Sequence, residues 1–524
     1  MSQQPSFILF IADQLRADNL GCYGHPLART PHIDAIAVDG LTFDRFYVAS
    51  PVCMPNRVSL MTGRMPSISG VRENGVPMAQ DYVSFVDLLR DAGYQTALCG
   101  KSHLQNFTGN PPVAPAKQRK DGFRLPPKEL RSARRINLDD PVYDQEDPSY
   151  WADPQAAVQT PFYGFDHVDL VVGHGDNLGG NYRQWLLQRN PDAMSLIGPE
   201  NQLPHDYTCP QAVRTAVPEE LYSTTYIAEC AADWLKRLDP ERPFFLMVSF
   251  PDPHHPFNPP GRYWDMFSPD DMPVPEAFHR KDWDAPPHVQ QLFQDRAAGR
   301  SNLAGMGTFG CSAREAQEAQ ALTLGMLAMI DDAVGQVMQA LKDSGRDGNT
   351  TIMFTSDHGD NLGDHGLLLK GPEAYEPVIR VPFLWRAPEE RGCGMRTQRI
   401  GQTLDIGACI LEKARIEPFD GFQGRSLFGP EERKAALVQY DHQRPLTALA
   451  GPPRVHSLRT DRYRLSIFHG QDWGELYDLQ LDPGEFVNRW DHPEFAAIRA
   501  GLIEQMLRLE IDAIDRAPRP TRQA

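Results

Sequence analysis

Four short apolar runs constrain this chain more than any other feature: Ser6–Ala12 (SFILFIA), Gln95–Cys99 (QTALC), Phe244–Phe250 (FFLMVSF) and Thr351–Thr355 (TIMFT). Runs of this length without apolar/polar alternation read as strands covered on both faces, as in a parallel or mixed sheet. Helical patterns separate them. Thr30–Gly40 is a short one, and Tyr82–Ala92 is amphipathic and stops at Gly93. Glu219–Leu238 spaces Ile227, Cys230, Ala231, Trp234 and Leu238 along one face, and Ala316–Lys342 is the longest pattern. The alternation predicts an α/β fold with a large mixed β-sheet sandwiched by helices.

Each run ends in residues that carry chemistry. The first stops at Asp13-Gln14, the second at Lys101-Ser102-His103, the third at Pro253-His254-His255 and the fourth at Ser356-Asp357-His358. Open α/β sheets bind ligands outside the carboxyl ends of their strands, so one shared site is the economical account. Singly, each has a plainer explanation. Asp13 could cap a turn, Lys101-x-His103 suits a solvated loop equally well, and His254 could be a structural loop residue.

Between the first two runs lies Ala49–Arg64, which sets a cysteine in a Cys53-x-Pro55-x-Arg57 frame. Pro51 and Pro55 bias the backbone away from helix until after the second proline, so Cys53 is expected at a helix's leading edge, among unpaired N–H groups that welcome an anion. Arg57 follows one helical turn later, placed to hold the group at 53 or an anionic substrate. This frame, extended through Ser59, Thr62, Gly63 and Arg64, resembles the sulfatase signature. The order Asp13-Gln14, Cys53-x-Pro-x-Arg57, Lys101-x-His103, His254, Asp357-His358 and Lys370 is similar to the sulfatase branch of the alkaline phosphatase superfamily. Glu475–Leu479 with Asp482-Pro483 and Asn488 resembles that family's C-terminal signature.

The resemblance implies a formylglycine at Cys53, installed by a formylglycine-generating enzyme, whose hydrate attacks a small sulfate ester. It implies a divalent metal held by Asp13, Gln14, residue 53, Asp357 and His358. The mostly oxygen donors suit Ca²⁺, while His358 tilts the set towards Mn²⁺ or Mg²⁺. By the same resemblance Lys101 and Lys370 neutralise the transferring group, His254 assists the leaving group, His103 is the base that releases sulfate, and Arg57 fixes the hydrate. Asn74 is either a contact to a substrate oxygen or an ordinary turn residue.

Many sulfatases have two consecutive aspartates where this chain has Asp13-Gln14, a form that looks more like the choline sulfatase and phosphonate monoester hydrolase branches. One fewer carboxylate leaves the pocket a unit more positive, worth about 4 kcal/mol at 4 Å and an effective dielectric near 20. That favours a phosphoryl substrate, whereas Lys101-x-His103 is the sulfatase-type pair. Sulfate monoesters are therefore placed first, with a phosphonate monoester or phosphodiester hydrolase as the alternative. A non-catalytic metal- or anion-binding protein with an unmodified thiol is the rival from another class.

A formal charge of −17 argues against nucleic-acid and membrane-surface partners, so an anionic substrate needs a local cationic pocket. Eight scattered cysteines without CxxC, and no apolar leader or span, point to the cytoplasm. A homo-oligomer is expected by analogy alone. Residues 1–415 read as the catalytic domain, with 105–218 a loop-rich insertion marked by Pro111-Pro112, Pro115, Pro126-Pro127 and charges through Arg135. Within it Trp151, Tyr163, His174 and Trp185 read mainly as surface packing. Residues 416–524 read as a small antiparallel α+β subdomain, with strands at Ala435–Tyr440, Leu458–Ile467 and Glu475–Leu479 and a closing helix at Phe495–Ile514.

Overall fold

The computed structural model describes residues 4–108, 120–127, 130, 133, 140–280, 283–442, 446–449 and 451–521. Pro111, Pro112, Pro115 and Arg135 lie outside the described residues. The strands of the main body are β1 (Ser6–Ala12), β2 (Leu41–Tyr47), β3 (Gln95–Gly100), β4 (His167–Val172), β5 (Gly179–Gly180), β6 (Phe244–Ser249), β7 (Phe309–Gly310), β8 (Thr350–Ser356), β9 (Leu367–Leu368), β10 (Phe383–Arg386) and β11 (Met395–Gln402). All but β7 and β9, which pair with each other, form one mixed sheet in the order β11-β2-β10-β8-β1-β6-β3-β4-β5.

All seven residues of β1 are buried, and they alternate between two cores. Ile8, Phe10 and Ala12 pack towards helices Pro31–Val38, Ser223–Lys236 and Ala313–Asp343. Phe7, Leu9 and Ile11 pack towards helices Cys53–Thr62, Phe85–Asp91 and Asp405–Ala414. Because β1 is covered on both faces, it needs no polar alternation, which is why it reads as a continuous apolar run. The Ala313–Asp343 helix opens on a capping box between Ser312 and Glu315. It is long and apolar enough to cross a membrane by length and composition, yet 83% of its most apolar stretch is buried inside the protein.

The structure revises three expectations. The segment read as an insertion contributes β4, which pairs with β3 in parallel, and the helix Asn181–Arg189. The strand escapes notice because His167, Val168 and Asp169 are only half-buried, so the apolar stretch shrinks to three residues. Leu458–Ile467 is two strands, β13 (Arg454–Thr460) and β14 (Tyr463–Phe468), reversing at Asp461-Arg462. The edge half of the main sheet, β2, β10 and β11, also went unanticipated.

With β12 (Ala435–Asp441) and β15 (Gly474–Asp478), β13 and β14 make a four-stranded antiparallel sheet. Its Leu458, Leu465 and Leu476 share a core with Leu502 and Met506 of helix Ala496–Asp512 and with Ala49 and Met65 of the main body.

The close approach of β3 and β6 depends on Gly100. It sits at φ +113°, and a Cβ there would run into the Ser249 carbonyl oxygen. Gly100→Ala should lower unfolding stability by roughly 2–5 kcal/mol, combining left-handed strain with overpacking. The measurement is a urea melt; an unchanged midpoint would contradict this reading of the β3 end.

Candidate active site

Strands β8, β1, β6 and β3 are consecutive and mutually parallel, so their carboxyl ends share one edge of the sheet. The hydrogen-bond ladder runs slightly past them: Asp13 N donates to Asp252 O (3.0 Å), Lys101 N to Ser249 O (2.8 Å) and Asp357 N to Ala12 O (3.3 Å). The four distant segments are thereby held side by side. Gln14 (φ 65°) and His103 (φ 53°) take left-handed backbone there, turning the chain out of the sheet.

Above this edge stands the helix Cys53–Thr62, capped by extended Val52. It starts at Cys53 itself, two residues before Pro55, because a proline in the first turn surrenders only an N–H that has no intrahelical partner. Asn74 Oδ1 accepts from Met54 N (3.1 Å), so this side-chain oxygen serves the helix end. Asn56 Nδ2 donates to the Asp357 carbonyl (2.6 Å) and ties the helix to β8.

Cys53 Sγ lies 3.0 Å from His358 Nε2 and 3.8 Å from Asp13 Oδ1. Donor atoms of Asp13, Cys53, Asp357 and His358 all fall within 4.8 Å of one another, close enough to surround one ion. The donors have the right character. His358 Nδ1 meets the Gly359 carbonyl (2.9 Å), which fixes that nitrogen as the N–H and leaves the Nε2 lone pair for a metal. Burial holds His358 down to about 4, so its imidazole is neutral, as a ligand must be. Asp13 is fully buried yet stays well below the usual carboxylate range, because the Lys101 ammonium and the Arg57 guanidinium outweigh the desolvation that opposes its charge. These residues fit a divalent cation.

Arg57 is 3% exposed, and its Nε donates to Asp357 Oδ2 (2.7 Å). Its Nη1 donates to the Lys101 carbonyl (3.1 Å) and to Ser249 Oγ (2.9 Å), while Nη2 has no hydrogen-bond partner among the described residues and lies 3.9 Å from Asp13 Oδ2. Lys101 Nζ donates to Asp13 Oδ2 and to His174 Nε2 (2.6 Å for the latter). Lys370 Nζ donates to Gln14 Oε1 (2.5 Å) and His254 Nε2 (2.6 Å). The Gln14 oxygen expected to reach a metal is thus engaged by Lys370, and the Gln14 backbone N–H donates to Asp357 Oδ1 (3.1 Å). His103 is 2% exposed, packs on Phe107 and leaves Nδ1 without a partner among the described residues.

Four residues at or behind the site escaped notice as functional. His174 was read as packing, yet it reaches Lys101 and stacks on His254. His255 Nδ1 lies 3.1 Å from Gln14 Nε2. Asp360 accepts from Gln14 Nε2 and from Leu362 and Leu369 N–H (2.8 and 2.9 Å), which orders the loop leading to Lys370; its place in Asp357-His358-Gly359-Asp360 was the available signal. Glu146, in the segment read as loop, accepts from Leu104 N (3.0 Å) and Gln105 N (3.3 Å) and so holds the chain that carries Lys101 and His103.

Burial pushes the Glu146 carboxyl up to about 7 from an ordinary 4.5, so the folded protein holds its proton more tightly than the unfolded chain. Its contribution is complete below the unfolded value and is lost as pH rises through about 7. A displacement of this size is worth at most about 3 kcal/mol. Glu146→Gln, which keeps an acceptor but cannot ionise, should gain on the wild type by up to that amount between pH 4.5 and about 8. Denaturant melts across that range test it, and parallel curves would refute it.

With this geometry, comparisons are informative. The model of the sulfatase family matches residues 5–415, and that of the N-sulphoglucosamine sulphohydrolase C-terminal region matches residues 363–512. An arylsulfatase of Clostridium perfringens is 26% identical over 498 residues, covering 94% of this chain and 91% of its own. The multifunctional alkaline phosphatase superfamily protein PehA of Trinickia caryophylli is 26% identical over 540 residues, covering 97% and 96%. The crystal structure of the phosphonate monoester hydrolase of Agrobacterium radiobacter superposes with a TM-score of 0.78 at 25% identity, covering 98% of this chain and 97% of that one. The chain belongs to the sulfatase family of the alkaline phosphatase superfamily and is a hydrolase of that family.

Proposed function

We propose that this protein hydrolyses sulfate monoesters through a formylglycine formed from Cys53, with one divalent ion, Ca²⁺ first, held by Asp13, Asp357, His358 and residue 53. The observation that carries this reading is the setting of Cys53. Burial, with Asp13 next, pushes its thiol up to about 12, so it is a poor thiolate nucleophile at neutral pH. Conversion to a hydrated aldehyde replaces an inert thiol with oxygen donors, in a place already arranged for a hard cation.

A divalent ion held there supplies positive charge that acidifies a neighbouring hydroxyl and offsets charge on the transferring group. A hydrated formylglycine at position 53 would supply one hydroxyl as nucleophile and a second through whose deprotonation sulfate could leave. The remaining work falls to the side chains. Arg57, anchored through Nε and Nη1, keeps Nη2 for an anionic oxygen. Lys101 and Lys370 each use two ammonium protons on protein acceptors and retain a third for the substrate. His254 Nδ1 donates to the His255 carbonyl (2.6 Å), which leaves Nε2 to accept from Lys370, so His254 assists the departing oxygen by holding in place the Lys370 ammonium, which carries the proton. His103, neutral because burial and Lys101 hold it well below its ordinary value, can accept a proton during sulfate release.

Gln14 and the likeness to a phosphonate monoester hydrolase favour a second reading, in which the same residues cleave phosphonate monoesters or phosphodiesters. Against it stand Lys101 and His103, which resemble the sulfatase-type pair. None of the eight cysteines is paired in a disulfide, which supports work in a reducing cytoplasm.

Mass spectrometry of the Cys53 peptide from native host should show loss of sulfur and gain of an aldehyde. Cys53→Ala and metal chelation should each lower kcat by at least about 10³. Parallel kcat/KM values should favour an aryl sulfate over an aryl phosphonate. An unmodified thiol would move the protein to a non-catalytic anion- or metal-binding role, and a phosphonate preference would reverse the order of substrates.

A further inference from the structure

We propose that His174 is a positioning residue that presents Lys101 to the substrate's anionic oxygens, forming with His254 a paired lysine clamp. The inference rests on the hydrolase reading above and extends it to a residue from a segment that looks like plain loop.

The two lysines are held in matching ways. Lys370 donates to one residue of the β1 end, Gln14, and to one imidazole, His254. Lys101 donates to the other residue of the β1 end, Asp13, and to a second imidazole, His174. The imidazoles stack on each other, with centroids 3.6 Å apart and planes 15° from parallel. Each accepts through Nε2, so each lysine keeps one proton for a ligand. The stacked rings hold the two lysine acceptors together as a unit.

The local chain is built for this placement. His174 follows β4 in Gly173-His174-Gly175, where both glycines have positive φ (104° and 68°). A side chain at 175 would meet the Pro256 ring, 2.8 Å from its Cβ, so the glycine lets the His174 loop lie directly against the His254 loop. Phe107 closes the outer side, with its ring 5.1 Å from His174 and 5.4 Å from Lys101 Nζ. The His174 side chain is 8% exposed, and Nε2 also stands 3.6 Å from Asp13 Oδ2. An ammonium between a carboxylate and an imidazole acceptor cannot swing away to solvent. It is oriented before the substrate arrives, and preorganisation of this kind lowers the cost of anion binding.

The test measures inorganic sulfate binding to the holoenzyme, with formylglycine and metal content matched in every variant. His174→Ala should weaken sulfate by about 10-fold, the loss of one charge-assisted hydrogen bond. His174→Phe keeps a ring to stack on His254 but has no acceptor, so it should lose as much. His174→Gln, whose amide oxygen can accept from Lys101, should recover most of the affinity. The double variant His174→Ala/Lys101→Ala should bind sulfate no more weakly than Lys101→Ala alone. Wild-type affinity in His174→Phe, or fully additive losses in the double variant, would overturn the inference. Sulfate binding is read without turnover. An enzyme that cleaves no sulfate ester but shows this pattern would defeat the functional reading alone, and an active sulfatase without it would defeat the clamp alone.

Discussion

The buried ion pair between Arg57 and Asp357 is the interaction on which the site depends. Both side chains are almost fully buried, at 3% and 1% exposure, and they meet at 2.7 Å. Removing two charges from water is expensive, and the cost is offset only where geometry is good and the remaining donors are satisfied. Here the guanidinium also bonds the Lys101 carbonyl and Ser249, so a single side chain ties the Cys53 helix to β8, β3 and β6 together. Position 53 sits one turn before Arg57 and follows wherever that anchor goes. Fixing the nucleophile to the sheet edge and fixing the metal ligands are therefore one structural problem with one solution.

The central strands were legible because they are buried on both faces, and a doubly covered strand writes itself as an unbroken apolar run. The motif residues were legible because each such strand stops abruptly at chemistry-bearing residues. What failed to show has the opposite character. Strand β4 has a half-exposed beginning, and His174 lies between two glycines beyond it, so neither hydropathy nor a motif marks it. The Lys101 and His254 that it joins are remote in sequence, and only the pairing of β3 with β4 and β6 brings the three together. Asn74 shows a different limit. Read as either a substrate contact or a turn residue, it uses its oxygen on the Met54 N–H, a helix-end bond that becomes visible only once the helix is known to begin at Cys53. Likewise no pattern in the sequence marks the left-handed backbone at Gln14, a metal ligand by resemblance, or the contact of its amide oxygen with Lys370 (2.5 Å).

The chain is strongly acidic overall, yet the site concentrates Arg57, Lys101 and Lys370 around Asp13 and Asp357. This local excess of positive charge is what allows an acidic protein to receive an anion. It is also why three imidazoles can be packed beside it without competing: His174, His254 and His358 are all held neutral, chiefly by burial, and so act as acceptors or ligands instead of adding to the repulsion. Neutral imidazoles next to ammonium groups give the pocket proton acceptors within reach of proton donors. That combination serves a reaction in which one oxygen must lose a proton and another must gain one.

The same arrangement explains why a cysteine at position 53 serves poorly as a thiol. A thiolate there would be buried against Asp13 and Asp357, and those like charges, with desolvation, keep the proton on sulfur. Moving the lysines closer to stabilise a thiolate would take them from Gln14, His174 and His254, dismantling the means of holding the substrate. A cation held between the carboxylates would resolve the conflict, since it would neutralise them and favour hard oxygen donors over soft sulfur. The fold thus disfavours a thiolate at position 53 and leaves the encoded thiol unreactive. The conversion proposed for Cys53 would accordingly answer to the charges around it.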